Sequence, residues 1–107
     1  MVSSRLGSHL GYKVAILRNG KLYSVYEPTF EISEAKIWEL INVNRFYLGT
    51  SKKFALDYYS GLTDEKEVLL TYWYMNRDIV SGGPPNHSLA EIIVSRARLV
   101  DIELIGE

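Results

Sequence analysis

The side chains that most often bind metals or perform catalysis are few in this sequence and far apart. His9 and His87 have no carboxylate or second histidine at the spacing of a metal site. There is no cysteine, which excludes a disulfide framework and a zinc site built on thiolates. The glycines at 82–83 are not followed by the lysine of a phosphate-binding loop. We therefore expect no metal, and these residues define no complete active site.

Charge and hydropathy limit the classes of partner. Thirteen acidic and twelve basic residues give a net charge of −1 at pH 7. A protein that coats nucleic acid needs a clear basic excess, which the pairs Lys52-Lys53 and Arg96/Arg98 are too few to provide. No apolar run approaches the roughly 20 residues of a membrane span, and the N-terminus has no apolar signal-peptide core. We expect a cytoplasmic protein that binds neither nucleic acid nor membranes.

Aromatic residues are the unusual part of the composition. Eight tyrosines and two tryptophans are many for 107 residues. Their amphipathic side chains are enriched at interfaces and in binding clefts, although they also flank strands and cover thin sheets. Small size, near-neutral charge and this aromatic excess favour a protein-binding or regulatory domain. Its expected partner is another protein, and a second copy of the chain is one such partner.

The strongest local signal is a β-hairpin near the N-terminus. Strand-forming residues at 12–17 and 21–26 flank Asn19-Gly20, a dipeptide that favours a two-residue turn with positive φ at both positions. Glu27-Pro28 ends the second strand, because proline cannot donate to the ladder.

Two helices are predicted further along the chain. Ser33 is suited to cap the first, which runs to about Asn42 and carries its apolar residues on one side: Ile37, Leu40 and Ile41. Thr50 or Ser51 can cap the second, and Ser60-Gly61 ends it. One face of the second helix is apolar: Phe54, Ala55, Tyr58 and Tyr59.

The remaining strand signals lie at 45–48, 67–75 and 89–94, and the last of these carries a solid apolar run that predicts burial on both faces. Residues 95–97 interrupt this strand. A final strand from Arg98 alternates apolar with acidic positions, which places its apolar residues on one buried face: Val100, Ile102 and Leu104. Residues 76–88, with SGGPPN at the centre, predict a surface loop.

Together these elements predict an α+β fold, a mostly antiparallel sheet of five to six strands with two helices packed on it. Residues 1–107 are expected to form one domain, with 1–10 as a loose lead-in. Five residues are expected to share its core: Phe54, Tyr58, Leu70, Ile92 and Val94.

Three residues stand in an order that is known from one enzyme superfamily. Arg18 ends a strand, Ser51 lies between a strand and a helix, and Glu91 opens a later strand. This Arg–Ser–Glu order resembles that of the ADP-ribosyltransferase superfamily. FYLGTSKKFALDYY is similar to the family's strand–turn–helix, and AEIIVSRARLVDIEL is similar to its closing strand pair, so the resemblance covers about residues 46–104.

The resemblance implies an alternative function, that of an NAD-dependent ADP-ribosyltransferase or a degenerate NAD-binding relative. Arg18 would then hold a phosphate or ribose of NAD, Ser51 would brace the site, and Glu91 would stabilise the oxocarbenium ion as nicotinamide leaves. The turn reads Gly49-Thr50-Ser51 where the family has Ser-Thr-Ser. Apart from this likeness, the opening GYKVAILRNGKLYS and the small α+β body resemble uncharacterised short proteins of phages and bacteria.

Overall fold

A computed structural model describes residues 7–80 and 91–106. These residues form an antiparallel sheet of six strands with one α-helix, so the α+β class is confirmed. The elements in chain order are β1 (Ser8–Arg18), β2 (Lys21–Ser24), β3 (Glu31–Glu34), β4 (Leu40–Gly49), α1 (Lys52–Tyr59), β5 (Glu67–Met75), a 3-10 turn (Asn76–Asp78) and β6 (Glu91–Leu104).

The sheet closes on itself. Its strand order is β3-β2-β1-β4-β6-β5, and β1 also pairs with β5, from Ser8↔Met75 to Ile16↔Glu67. The strands β1, β4, β6 and β5 therefore form a ring, and β2 and β3 extend from it as a two-stranded wing. The ring is weakest between β1 and β4, where Tyr12↔Gly49 is the one pair that joins them.

The main core fills the inside of this ring, where aliphatic and aromatic side chains from every ring strand meet. Its buried members are Ala15, Leu22, Ile41, Phe46, Leu48, Val68, Leu70, Tyr72, Tyr74, Val94, Ala97 and Leu99. A smaller cluster of Val14, Ala55 and Leu69 lies outside the ring, where α1 covers β1 and β5. This arrangement follows from strand alternation, because successive residues of β1 point to opposite sides of the sheet.

The hairpin and the helix after residue 50 are confirmed. Asn19 and Gly20 have φ values of 53° and 76°, as the turn between β1 and β2 requires. The Ser51 side chain caps α1 by accepting a hydrogen bond from Phe54 N at 3.1 Å. The helix ends at Tyr59, just before Gly61 with φ 77°.

The predicted helix from Ser33 to Asn42 is wrong. Ser33 pairs with Leu22 of β2, and Leu40 pairs with Arg98 of β6, so both ends of this segment belong to β-ladders. Between them Trp38 takes φ 73°, which no α-helix accommodates. The local spacing of apolar residues resembles one face of a helix, but pairing with other strands determines the structure here. Tertiary contacts often override a weak local helix propensity in this way.

Three smaller expectations also need correction. The lead-in does not reach residue 10, because β1 begins at Ser8. Residues 95–97 do not interrupt β6, which is continuous from Glu91 to Leu104. Tyr58 is not in the core, since it is 65% exposed. Leu70 and Val94 are buried in the main core, and Ile92 packs against it. The SGGPPN segment lies outside the described residues.

Candidate functional site

A cleft opens where the ring of strands is weakest. The edge of β1 that faces away from β5 pairs with β2 at Ala15–Arg18 and with β4 only at Tyr12. Lys13 and Val14 lie between these pairings, and there the β2–β3 wing separates from β4. The resulting cavity has a volume of about 420 Å³. This volume lies within the range of small-ligand sites, roughly 300–1,000 Å³.

The cleft has an aromatic lining supplied by β1, the loop between β2 and β3, β4 and α1. Its aromatic residues are Tyr12, Tyr26, Phe30, Phe46, Tyr47 and Tyr59. Three of them are substantially exposed: Tyr26 at 71%, Phe30 at 52% and Tyr47 at 43%. The tyrosine excess in the composition is therefore concentrated in part around one concave surface, where amphipathic rings are suited to binding.

Lys13 contributes an ammonium group to the cleft. Its ammonium donates to the Tyr47 carbonyl oxygen at 3.1 Å and lies 4.8 Å from the centre of the Phe46 ring. Burial lowers the pKa of Lys13 to about 8, although the charge of Glu91 acts in the opposite direction. Within residues 7–80 and 91–106, no carboxylate comes within 4.0 Å of this ammonium.

Glu91 contributes a carboxylate to the cleft. Its carboxylate accepts a hydrogen bond from the Tyr59 hydroxyl at 2.7 Å. Burial, followed by this hydrogen bond, raises the pKa of Tyr59, so the phenol stays protonated and remains a donor. The Tyr26 ring packs edge-on against Tyr59 with centroids 5.4 Å apart. Glu91 is thus held by a fixed partner on the cleft wall.

The other two residues of the Arg–Ser–Glu order do not line this cleft. Arg18 lies six positions beyond Tyr12, or about 20 Å along the strand. Its guanidinium donates hydrogen bonds to both carboxylate oxygens of Glu65 and to the Pro28 carbonyl oxygen. The guanidinium carbon lies 4.4 Å from the centre of the Tyr23 ring. These contacts fasten the loop between α1 and β5 to the end of β1.

Ser51 is likewise engaged locally, because its hydroxyl oxygen caps α1. The structure therefore places Glu91 in the cleft, Arg18 against the loop after α1, and Ser51 at the helix N-terminus. His9 hydrogen-bonds Asn76 Oδ1 at 2.6 Å, away from the cleft lining, and His87 lies outside the described residues. Across the described ranges, no three potential metal ligands cluster.

Sequence reasoning missed Lys13 and Tyr59 as members of one site. A signal for Lys13 was present, since it is the one charged residue in the otherwise apolar run Tyr12 to Leu17. A lysine inside such a strand has to reach solvent or a cavity, because burying an unpaired charge is costly. Tyr59 carried no comparable signal, because its partner Glu91 is 32 positions away in the chain.

Comparison with protein-family models, curated proteins and solved structures gives no significant match. The helix within the described ranges is too short to cross a membrane.

Proposed function

We propose that this chain is a non-catalytic binding domain that receives an extended segment of a partner protein in the cleft between the β2–β3 wing and β4. The observation that carries the proposal is an open, aromatic-lined cavity beside a strand edge that is nearly unpaired. Binding domains commonly combine these two features, because the edge supplies backbone hydrogen bonds and the pockets select side chains.

The edge of β4 supports an extended ligand. β4 pairs with β6 along one side, while its other side meets β1 only at Gly49. The Tyr47 carbonyl is directed to the cleft side, since it accepts from Lys13. A peptide strand laid along this edge would continue the antiparallel sheet, and its alternate side chains would enter the aromatic lining.

The charges of the cleft favour a partner that carries both positive and negative groups. Lys13 and Arg45 bring positive charge, and Glu27 and Glu91 bring negative charge. Such a surface offers no sustained potential of one sign, which a nucleic acid backbone would require. A polypeptide, with both donors and acceptors and with aliphatic or aromatic side chains, matches this lining better.

The proposal is tested with a displayed library of random 12-residue peptides selected against the purified protein. We expect peptides to be enriched, and we expect Tyr26→Ala and Tyr47→Ala to weaken the binding of a synthetic copy about tenfold or more, since exposed aromatic residues dominate such interfaces. Tyr58→Ala is the matched control, because Tyr58 is an exposed tyrosine that does not line the cleft. The proposal fails if no peptide is enriched, or if the cleft variants and the control bind equally well.

The NAD-dependent alternative makes a different prediction. Arg18 is engaged by Glu65 and Ser51 by the helix N-terminus, so we expect millimolar NAD to leave the melting temperature unchanged. NAD at a hundred times its dissociation constant would instead add about 2.7 kcal/mol to stability. A rise in melting temperature that is lost in both Arg18→Ala and Glu91→Gln would favour the enzyme over the binding domain.

A further inference from the structure

Lys13 differs from the other lysines whose contacts the structure shows. Lys21, Lys52 and Lys53 are exposed and pair with Glu31, Glu103 and Asp57 at 3.7, 2.9 and 2.8 Å. Hydrogen bonds to these carboxylates raise the pKa of Lys52 and of Lys53. Lys13 instead has a carbonyl oxygen and an aromatic ring as its neighbours, inside a cavity.

Burial in this cavity lowers the pKa of Lys13 to about 8. A larger fraction of its amine is therefore unprotonated at physiological pH than in an ordinary lysine. A neutral amine has a lone pair available for attack. Desolvation in an apolar pocket is one of the ways in which proteins activate lysine as a nucleophile.

From this geometry we propose that Lys13 is a reactive amine and that the cleft captures small aromatic aldehydes or ketones as imines. The lone pair of Nζ adds to the carbonyl carbon, and the carbonyl π pair moves to oxygen, which takes up a proton. The resulting carbinolamine loses one water as the C=N bond forms. Amine and carbonyl compound thus give imine and water, and no oxidant or reductant is needed.

The lining favours an aromatic carbonyl compound. The Phe46 ring lies beside the reacting nitrogen, and the tyrosines around it offer faces and edges for stacking. A cavity of about 420 Å³ leaves room for one aromatic ring and its substituent. The carboxylate of Glu91, which already accepts from Tyr59, stands on the wall of the same cavity and can also accept a hydrogen bond from a phenol hydroxyl on the bound ring.

The test uses the wild-type protein with benzaldehyde and sodium cyanoborohydride, which reduces the imine to a stable secondary amine. Peptide mapping by mass spectrometry then gives the labelling rate of each lysine at several pH values. We expect Lys13 to be labelled about tenfold faster than Lys53 at pH 7.4, with a rate that levels off above pH 8. The comparison is made among lysines, because the α-amino group also reacts near neutral pH.

Four controls separate a built site from general reactivity. Lys53→Arg should leave the fast labelling intact, whereas Lys13→Arg should abolish it. Acetaldehyde should show a smaller preference for Lys13 than benzaldehyde, and unfolding in urea should remove the preference. Labelling of Lys13 no faster than that of Lys53 in the folded protein would overturn the inference. This outcome would leave the peptide-binding proposal intact, because strand addition along β4 does not require a neutral amine.

Discussion

Replacing Glu67 by leucine is expected to destabilise the protein by about 2–4 kcal/mol, although the new side chain is apolar and of similar size. Glu67 is only 7% exposed, and its carboxylate holds the loop that connects α1 to β5. One oxygen accepts from Gly61 N at 2.7 Å, and the other accepts from Leu62 N and Thr63 N at 3.1 Å each. Hydrogen bonds to a charged group contribute about 1.5–3 kcal/mol each to stability, and several bonds to one group contribute less together than the sum of their separate values.

The leucine variant leaves these three N–H groups, and the Thr63 hydroxyl, without their acceptor. Urea unfolding followed by tryptophan fluorescence measures the loss, and hydrogen exchange at the three amides reports its location. The stability of Glu67→Gln should lie between that of the wild type and that of the leucine variant. The glutamine amide keeps one acceptor oxygen but turns an NH₂ group toward a donor.

Glu103→Gln is the matched control for the Glu67 variants. Glu103 forms an exposed ion pair with Lys52 at 2.9 Å, and such pairs contribute about 1 kcal/mol or less. If Glu67→Leu unfolded at the same urea concentration as Glu103→Gln, the carboxylate would not be holding the loop, and the account of this region would be wrong.

The sequence predicted those elements that are specified by their own residues. Asn19-Gly20 determines its turn because both residues accept positive φ, and Ser51 caps α1 because its side chain reaches the third residue onward. The segment after Ser33 had no such local determinant. Its strand state depends on the partners Leu22 and Arg98, which lie far away in the chain and cannot be inferred from spacing.

Less of the candidate site than of the fold was predicted from the sequence. Glu91 does line a cleft, but its neighbours there are Lys13 and Tyr59, which belong to β1 and α1. They meet because β4 reaches β1 at a single residue pair and leaves a gap beside it. A gap of this kind is a property of the sheet closure, and no residue pattern within one strand encodes it.

The same limit explains why the predicted alternation in the last part of β6 was right for Ile102, which packs against the main core, but missed the buried Leu99. Tyr72 pairs with Leu99 while Thr71 pairs with Asp101, so Val100 is an extra residue in β6, a β-bulge. Ala97 and Leu99 point into the main core before the bulge, and Ile102 packs against the same core after it. Leu99 is completely buried, whereas Leu104 lies opposite Val68 at the end of the strand and is 52% exposed.

This bulge leads to the second large prediction. Leu99→Ala should destabilise the protein by about 2–5 kcal/mol, the usual result of truncating a buried leucine, because the side chain is 0% exposed in the main core. A loss of this size is a large part of the 5–15 kcal/mol that stabilises a typical domain. Chemical denaturation measures it as a lower midpoint at an unchanged slope.

Leu104→Ala is the control on the same strand, with the same chemical change at an exposed position. It should alter stability by about 0.5 kcal/mol, since surface substitutions rarely do more. The two variants compare a fully buried leucine with a half-exposed one on the same strand, so the difference between their stabilities reports the burial of Leu99. A larger loss for Leu104→Ala than for Leu99→Ala would contradict the burial of Leu99 and, with it, the assignment of the ring interior as the main core.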